Sequence, residues 1–543
     1  MRDGDPCGGR TGLSTVRGSA SIGSGLEPVR DARPIRAGER IHVVGAAGAG
    51  ASAAALLAHW QGADVSGCDP GAPSQYTAPL DAAGVAVATS HDPGHVTGGG
   101  RPERLAVTKA LTAVDPHNPE LEAARAAAVP LEPWQQVVAD AACGRRLVGV
   151  AGTHGKSTSA GWLVHVLVSA GLDPSAFVGA LMPAELTGSL PATARQGRGE
   201  AFVVEADEYA GNFDPYRPAI AILTSAEWDH PDVFADREAV VDCFAAWLKG
   251  ALHSVPDPTL VANVADPGVA AVIERLRDWP GRVLATVLAA DPERSIAGDP
   301  AGHLATATRG DLRERFATTG GPADLLEGHI LQAGPTGTTL EIRRTGVSTD
   351  PLMLRLRLAG RHNAANALGV AGAAIALGVP DQRIVAGLAG FGGVGRRLER
   401  KGEGSGVVVY DDYGHHPTAI RETLAALRQI EPGRRIWAVY EPLTYHRTAA
   451  MLDQFAEVLA TADCVAIADI WAGRDPDTSV ASAAALAQAV ARQRPEMIAA
   501  APGSVEATAA WLAKEVRSGD AVLVMGGGRS YVIADLLVRS LQG

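Results

Sequence analysis

The chain has 543 residues, more than one ordinary domain holds, so we expect several domains. With 46% hydrophobic and 20% charged residues, its composition is that of a folded globular protein and not of a disordered chain. The formal net charge of -12 argues against a protein that coats nucleic acid, and we expect no nucleic-acid partner.

The cysteines and the apolar runs indicate the cellular setting. The five cysteines are scattered and lack a CxxC spacing, which argues against a disulfide framework or a zinc site and favours a reducing compartment. Since no apolar run approaches about 18 residues, we expect no membrane partner and a cytoplasmic location. Residues 1–38 are rich in Gly, Ser and Arg and have no apolar segment, which predicts a disordered tail and not a secretory signal.

The first ordered segment predicts a nucleotide-binding βαβ unit. A β-branched strand at 40–44 leads into a glycine-rich turn, an Ala-rich helix covers 52–60, and a second strand ends at Asp69. This order is typical of Rossmann-like domains, although the GxxGxG spacing is weak evidence by itself. We expect such a domain over residues 39–140, with 133–146 as the connection out of it.

A second glycine-rich loop follows a buried strand at 146–151 and predicts a phosphate site. Glycines let backbone N–H groups surround phosphate oxygens, and the following helix adds partial positive charge at its N-terminus. Lys156 can neutralise phosphate charge, and the Ser157 hydroxyl can ligate Mg²⁺. The alternative is a plain glycine turn, since Val150 stands where the standard Walker pattern has glycine. The predicted ATP-binding residues here are Gly152, Thr153, His154, Gly155, Lys156, Ser157 and Thr158.

Two acidic segments downstream offer metal ligands. Glu205 stands at the end of a predicted strand at 201–205, and His230 follows the next one at 219–224. Because consecutive parallel strands end at the same rim of a sheet, both side chains could reach a γ-phosphate held by the loop. Mg²⁺ prefers oxygen ligands, so Glu205 fits better than His230. The alternatives are a capping role for Glu205 and a structural role for His230.

A third αβ series runs to the end of the chain, with predicted strands at 407–411, 436–440, 464–468 and 521–525. The predicted fold class is therefore α/β in three domains. A central P-loop ATPase-type α/β domain over 141–390, with an irregular β-containing part at 257–347, lies between two Rossmann-like domains. The C-terminal one covers 391–543.

Taken in order, these motifs resemble those of the Mur ligase family. The shortened phosphate loop, the acidic segment 205–208, the segment 227–230 and three later segments at 361–368, 395–399 and 411–418 follow the family's order in all three domains. The resemblance implies an ATP- and Mg²⁺-dependent ligase of peptidoglycan precursor synthesis. Such an enzyme joins an amino acid, L-alanine in the members that the chain most resembles, to the carboxylate of UDP-N-acetylmuramate through an acyl phosphate.

The resemblance also implies residue roles. The catalytic residues would be Lys156, Glu205 and His230, and the metal ligands Ser157, Glu205 and His230. Asn363 and Asn366 would contact adenine, Arg397 phosphate and Asp412 the ribose. From the residues alone, the Asn pair could equally cap a helix, and the double Arg at 396–397 could form an interdomain ion pair. The implied UDP-sugar site comprises Gly48, Gly50, Asp69 and His91, and the implied amino-acid site Tyr413, His415 and Arg447.

Several departures from the family pattern leave alternatives open. Ala47 and Ala51 replace a usual Gly and Met, and Leu443 stands where many alanine-adding relatives carry His. Tyr209 and the pair 398–399 resemble the murein-tripeptide recycling ligase, which acts on the same sugar nucleotide. The alternatives from other classes are an NAD-binding oxidoreductase and a non-catalytic nucleotide-binding protein. We expect a monomer or a weak homodimer.

Overall fold

The chain forms three successive α/β units, each built on its own sheet. The structure is a computed structural model that describes residues 22–251, 255–277, 279–289, 324–345, 350–473, 475 and 477–543. Within these residues, no helix has the length and apolar character needed to cross a bilayer. The predicted three-domain α/β fold class is confirmed.

The first unit carries a five-stranded parallel sheet in the order β3-β2-β1-β4-β5. Its strands are β1 (Arg40–Val44), β2 (Asp64–Cys68), β3 (Val87–Ala88), β4 (Arg104–Val107) and β5 (Leu131–Pro133). Its helices are α1 (Ala49–Trp60), α2 (Ala78–Ala82), α3 (Gly94–Thr97), α4 (Lys109–Val114), α5 (Pro119–Ala126) and α6 (Trp134–Ala141). The crossover to β4 beyond β1 creates the switch point at which such sheets bind ligands.

Two expectations for this unit differ from the structure. The segment 133–146 is not merely a connection, because α6 packs against α1 and is buried along most of its length. Residues 22–38 are not a disordered tail either. Arg30 forms ion pairs of 2.7 Å with Glu132 and with Asp140, and the backbone N–H of Glu27 donates to the Leu131 carbonyl. Residues 1–21 of the predicted tail lie outside the described residues.

The central unit has a ten-stranded sheet in the order β15-β14-β13-β12-β11-β10-β6-β9-β7-β8, parallel from β13 to β7 and antiparallel at both edges. Its strands are β6 (Arg146–Ala151), β7 (Ser175–Met182), β8 (Ala192–Arg195), β9 (Ala201–Ala206), β10 (Ile220–Leu223), β11 (Thr259–Asn263), β12 (Arg282–Leu288), β13 (Asp324–Gly334), β14 (Gly337–Thr345) and β15 (Leu352–Leu356). Its helices are α7 (Lys156–Ser169), α8 (Ala184–Thr187), α9 (Arg237–Ala251), α10 (Pro267–Arg275), α11 (Arg361–Ala376) and α12 (Asp381–Gly390), with a 3₁₀ turn at Tyr209–Gly211.

The predicted irregular part at 257–347 is a regular extension of this sheet where it is described. Strand β11 pairs in parallel with β10, β12 pairs in parallel with β11, and β13 continues the parallel sheet beyond β12. Gly and Pro between these strands obscured their periodicity in the sequence. Residues 278, 290–323 and 346–347 of that segment lie outside the described residues.

The last unit has a six-stranded sheet in the order β16-β17-β21-β18-β19-β20, with only the β16–β17 pair antiparallel. Its strands are β16 (Glu399–Gly404), β17 (Val407–Asp412), β18 (Arg435–Glu441), β19 (Cys464–Ala468), β20 (Ile498–Gly503) and β21 (Asp520–Gly526). Its helices are α13 (Pro417–Ile430), α14 (Tyr445–Ala450), α15 (Leu452–Leu459), α16 (Ala483–Gln493), α17 (Val505–Glu515) and α18 (Ser530–Gln542).

Candidate active site

The loop between β6 and α7 has the backbone conformation that a phosphate cradle requires. Gly152 and Gly155 have φ of 132° and 80°, a region that side-chain-bearing residues rarely enter. A Cβ on Gly155 would stand 2.6 Å from Asn366 Oδ1, so glycine is also needed for close packing. A hydrogen bond to the segment after β10 holds the loop in place, because the His154 backbone N–H donates to Ser225 Oγ at 2.9 Å.

Lys156 opens α7 and is held between two carboxylates. Its Nζ lies 2.8 Å from Glu208 Oε2 and 3.4 Å from Asp207 Oδ1. Although burial lowers the pKa of Lys156, the charges of Glu208 and Asp207 outweigh burial and raise it above its usual value. Lys156 is therefore a fixed cation at the end of the loop.

Three of the predicted residues meet at Ser157. The Ser157 hydroxyl donates to Glu205 Oε1 at 2.9 Å, and Arg397 Nη2 donates to Ser157 Oγ at 3.0 Å across 240 residues of sequence. Glu205 faces Val150 on the neighbouring strand, so parallel pairing of β6 and β9 brings it to the loop. Its second oxygen accepts the Gly179 backbone N–H at 2.5 Å. Arg397 Nε is buried and has no hydrogen-bond partner in the described part of the chain.

A cavity of about 200 Å³ lies beside the loop and joins the central and last units. Asn363 and Asn366 line it from the first turns of α11, and neither caps that helix, whose N-cap is Gly360. Asp412 of the last unit also lines it, and its carboxylate accepts the backbone N–H of Leu398 at 2.7 Å. Other predicted residues that line it are His154, Gly155, Thr158 and Arg397. The predicted adenine, ribose and phosphate contacts thus share one cavity.

His230 stands in a neighbouring group that reaches the last unit. Its Nδ1 lies 3.0 Å from Arg447 Nη2, and its ring lies 4.6 Å from that of Tyr209. Its backbone φ of 55° is uncommon for a residue with a side chain and marks local strain. Arg447 forms a buried ion pair of 2.7 Å with Asp229. Burial raises the pKa of Asp229, but the charges of His230 and Arg447 outweigh burial and hold that pKa well below its usual range.

Two histidines of the last unit are held neutral beside this group. Burial lowers the pKa of His415 well below its ordinary value, and Arg447 lowers it further. Burial and the nearby His154 lower the pKa of His416 to about 4. His416 accepts the Thr418 backbone N–H as the N-cap of α13, whereas His415 Nδ1 lies 2.8 Å from the Tyr413 carbonyl. His415 is therefore a neutral imidazole, and the burial that keeps it neutral also makes it a weak base.

A larger cavity of about 700 Å³ is lined by residues from all three units. Tyr413 contributes one wall, and the guanidinium carbons of Arg396 and Arg397 lie 5.1 and 5.2 Å from its ring centroid. Tyr76 of the first unit lines the same cavity. Arg396 itself turns inward, where it pairs with Asp411 at 3.1 Å. Of the two adjacent arginines, Arg396 is therefore structural, whereas Arg397 faces the phosphate loop.

The residues predicted to bind the UDP-sugar lie in two places. Gly48 is the N-cap of α1, and the carboxylate of Asp69 accepts the Ala47 N–H at 3.1 Å, so both border the first glycine turn. Gly50 instead packs under Trp134, since a Cβ there would overlap the indole ring. His91 lies 3.2 Å from the sulfur of Cys68, below that turn.

Several residues that contact the predicted site residues lie within the same sequence motifs, but the sequence predicted no role for them. Glu208 pairs with Lys156, and Asp229 pairs with Arg447. Thr418 donates to Glu227 across the two units at 2.7 Å. Their position next to predicted site residues was the one sequence feature that could have identified them. Which residue of another unit each one contacts depends on domain packing, which no local sequence pattern encodes.

Comparisons with known proteins match the chain along nearly its whole length. Three family models cover it in order: the Mur ligase family catalytic domain at residues 40–146, the Mur ligase middle domain at 150–374, and the Mur ligase glutamate ligase domain at 396–528. A UDP-N-acetylmuramate–L-alanine ligase of Kineococcus radiotolerans is 36% identical over 90% of this chain and 93% of its own length.

Solved structures share the fold. A UDP-N-acetylmuramate–alanine ligase from Thermotoga maritima superposes with a TM-score of 0.69 at 22% identity, covering 92% of this chain and 98% of its own. A murein peptide ligase from Psychrobacter arcticus has a TM-score of 0.65 at 22% identity, covering 93% and 99%. With its three domain models in order and a relative this similar over most of both chains, the chain belongs to the Mur ligase family.

Proposed function

We propose that the protein is an ATP-dependent ligase that joins L-alanine to the lactyl carboxylate of UDP-N-acetylmuramate through an acyl phosphate. The names of the relatives at 34–36% identity supply the two substrates. The observation that carries the proposal is the contact of Ser157 with both Glu205 and Arg397, because it joins the phosphate loop to the last unit. Since both substrates and ATP are cytoplasmic metabolites, we place the reaction in the cytoplasm.

In the first step, a carboxylate oxygen of the sugar attacks the ATP γ-phosphorus and ADP leaves. The new bond makes the acyl carbon reactive, because phosphate is a far better leaving group than oxide. Phosphoryl transfer depends on positioning and charge neutralisation. Lys156 and the N–H groups of its loop supply the charge at one side, and Arg397 supplies it at the other.

The donors at Ser157 fit the Mg²⁺ that the family implies. The Ser157 hydroxyl and Glu205 carboxylate are hard oxygen donors 2.9 Å apart, the class that Mg²⁺ prefers. His230 is the third predicted ligand. It has different neighbours from Glu205: His230 contacts Arg447 and Tyr209, whereas Glu205 contacts Ser157 and Gly179. A bound Mg²⁺ would offset the negative charge of the triphosphate.

In the second step, the neutral amine of the amino acid attacks the acyl carbon and phosphate leaves. The amine must first lose a proton, and we assign the neutral imidazole of His415 as its acceptor, a weak one because burial lowers the pKa of His415. Arg447 carries Nε and Nη1 atoms that are buried and unpaired within the described residues. These donors suit the carboxylate of the incoming amino acid.

The murein-tripeptide recycling ligase remains the second candidate because of one segment. Leu443 replaces the His of many alanine-adding relatives and pairs in parallel with Trp471, whose side chain is 42% exposed. This apolar pair lies near the amino-acid site and would tolerate a longer acceptor. An NAD-binding oxidoreductase, by contrast, leaves the Ser157–Arg397 contact without a role.

The test is phosphate release with ATP and UDP-N-acetylmuramate in the presence of L-alanine, glycine, L-serine or the murein tripeptide. We expect release that requires the sugar nucleotide and is fastest with L-alanine. Faster phosphate release with the murein tripeptide than with L-alanine would identify the protein as the recycling ligase instead. Release without the sugar nucleotide, or none with any acceptor, would contradict both assignments.

A further inference from the structure

Below the first glycine turn lies a buried group of side chains that the proposed ligase reaction does not use. His42 is on β1, Cys68 at the end of β2, His95 on α3 and Glu120 in the first turn of α5. One potential ligand atom from each lies within 4.8 Å of the others. We call these four residues the His42 cluster.

The distances within the His42 cluster match the edges of a small coordination polyhedron. Glu120 Oε1 lies 2.8 Å from His42 Nε2 and 3.1 Å from His95 Nδ1, and Glu120 Oε2 lies 3.0 Å from Cys68 Sγ. With one sulfur and three N or O ligands at their usual bond lengths, zinc needs tetrahedral edges of about 3.3 to 3.6 Å. Around such an ion, the three contacts that Glu120 makes would each lengthen by about half an ångström or less.

The orientation of His42 favours a ligand over a simple hydrogen bond. Its Nε2 is fully buried and close to Glu120, yet it is not aligned to donate to that carboxylate. Its other ring nitrogen, Nδ1, lies 2.8 Å from Ser66 Oγ. A histidine that binds metal through one nitrogen characteristically has the second nitrogen hydrogen-bonded in this way.

We propose that the His42 cluster is a structural site for Zn²⁺, bound by His42 Nε2, Cys68 Sγ, His95 Nδ1 and a Glu120 carboxylate oxygen. This set of one thiolate, two imidazoles and one carboxylate is of the kind that zinc selects. The site ties two strands and two helices together directly below Asp69, whose carboxylate orders the glycine turn. Zinc thus stabilises the first unit, independently of the ligase reaction.

Binding exchanges a proton for the cation. Burial raises the pKa of the Cys68 thiol, and the Glu120 charge raises it further, so the metal-free thiol is protonated. Zinc forms the Zn–S bond as the thiol proton leaves to solvent, with no change of oxidation state. The scattered cysteines had argued against zinc, but that pattern only detects sites with several cysteines close in sequence.

The experiment titrates the full chain, freed of metal by a chelator, with Co²⁺ in the absence of nucleotide. We expect a thiolate-to-cobalt charge-transfer band together with the visible bands of tetrahedral cobalt, both removed by about one equivalent of Zn²⁺. Zinc alone should also raise the melting temperature. The second possible metal group of the described residues, His154, Glu227 and His416, contains no cysteine and cannot give the thiolate band.

Variants identify the thiolate and the imidazole. Cys68→Ser should remove the charge-transfer band, whereas Cys7→Ser and Cys143→Ser should keep it. His95→Ala, at a side chain 24% exposed, should weaken Co²⁺ binding at least ~10-fold without unfolding the chain, whereas His117→Ala, 87% exposed, should not. No band with the unaltered chain, or a band kept in Cys68→Ser, would reduce the His42 cluster to a hydrogen-bond network and overturn the proposal. Ligase activity plays no part in this readout.

Discussion

Arg397 gives the sharpest test of how the last unit completes the phosphate site. Its Nη2 donates to Ser157 Oγ at 3.0 Å, and its buried Nε has no partner in the described part of the chain, which suits a phosphate oxygen. Hydrogen bonds from a charged donor contribute about 1.5–3 kcal/mol each. Losing one such bond in the transition state should lower kcat/KM for ATP by about 10- to 150-fold in Arg397→Ala.

The assay is steady-state phosphate release at varied ATP with saturating sugar nucleotide and amino acid. Arg397→Lys should recover only part of the loss, because a lysine ammonium cannot contact two oxygens in the fork geometry of a guanidinium. Arg494→Ala is the matched control, since Arg494 lies in the same unit and pairs on the surface with Glu496. A kcat/KM for Arg397→Ala within twofold of the control would show that Arg397 does not contact the transferred phosphate.

Three further substitutions test separate parts of the site. Lys156→Ala should abolish phosphate release, whereas the exposed Lys514→Ala should not; measurable turnover by the first would contradict the phosphate loop. Arg447→Ala leaves Asp229 buried and unpaired and should lower the free energy of unfolding by about 3–5 kcal/mol in urea titrations, much of which the additional change Asp229→Asn should restore. The pKa of His416 is lowered to about 4, so below pH 6.5 the unfolded chain binds a proton that the native protein does not. Stability should therefore fall between pH 6.5 and 4 by up to ~3 kcal/mol, and His416→Gln should flatten that slope; an unchanged slope would refute the assignment.

The elements that the sequence predicted well are buried parallel strands. Each of three short, mostly apolar runs bounded by turns forms a strand with the predicted limits: Arg40–Val44, Arg146–Ala151 and Cys464–Ala468. The glycine turn at 152–155 was equally predictable, because Gly152 and Gly155 have positive φ, a conformation that glycine adopts far more readily than other residues.

What the sequence did not predict depends on contacts between distant segments. The order of residues 22–38 rests on Arg30, whose partners Glu132 and Asp140 are more than a hundred residues away. Helix α6 was taken for a linker because its apolar face is complementary to α1 and not to anything local. The His42 cluster likewise consists of single residues from four separate elements, so no motif spacing in the sequence predicts it.

The central claim is that the γ-phosphate of ATP passes to an oxygen of the sugar-borne carboxylate. The direct measurement uses UDP-N-acetylmuramate with ¹⁸O in that carboxylate, ATP, L-alanine and the unaltered protein, followed by mass analysis of the released phosphate. If the carboxylate oxygen attacks the γ-phosphorus, the released phosphate carries one ¹⁸O atom for each amide bond formed. Amide formation with unlabelled phosphate would contradict it.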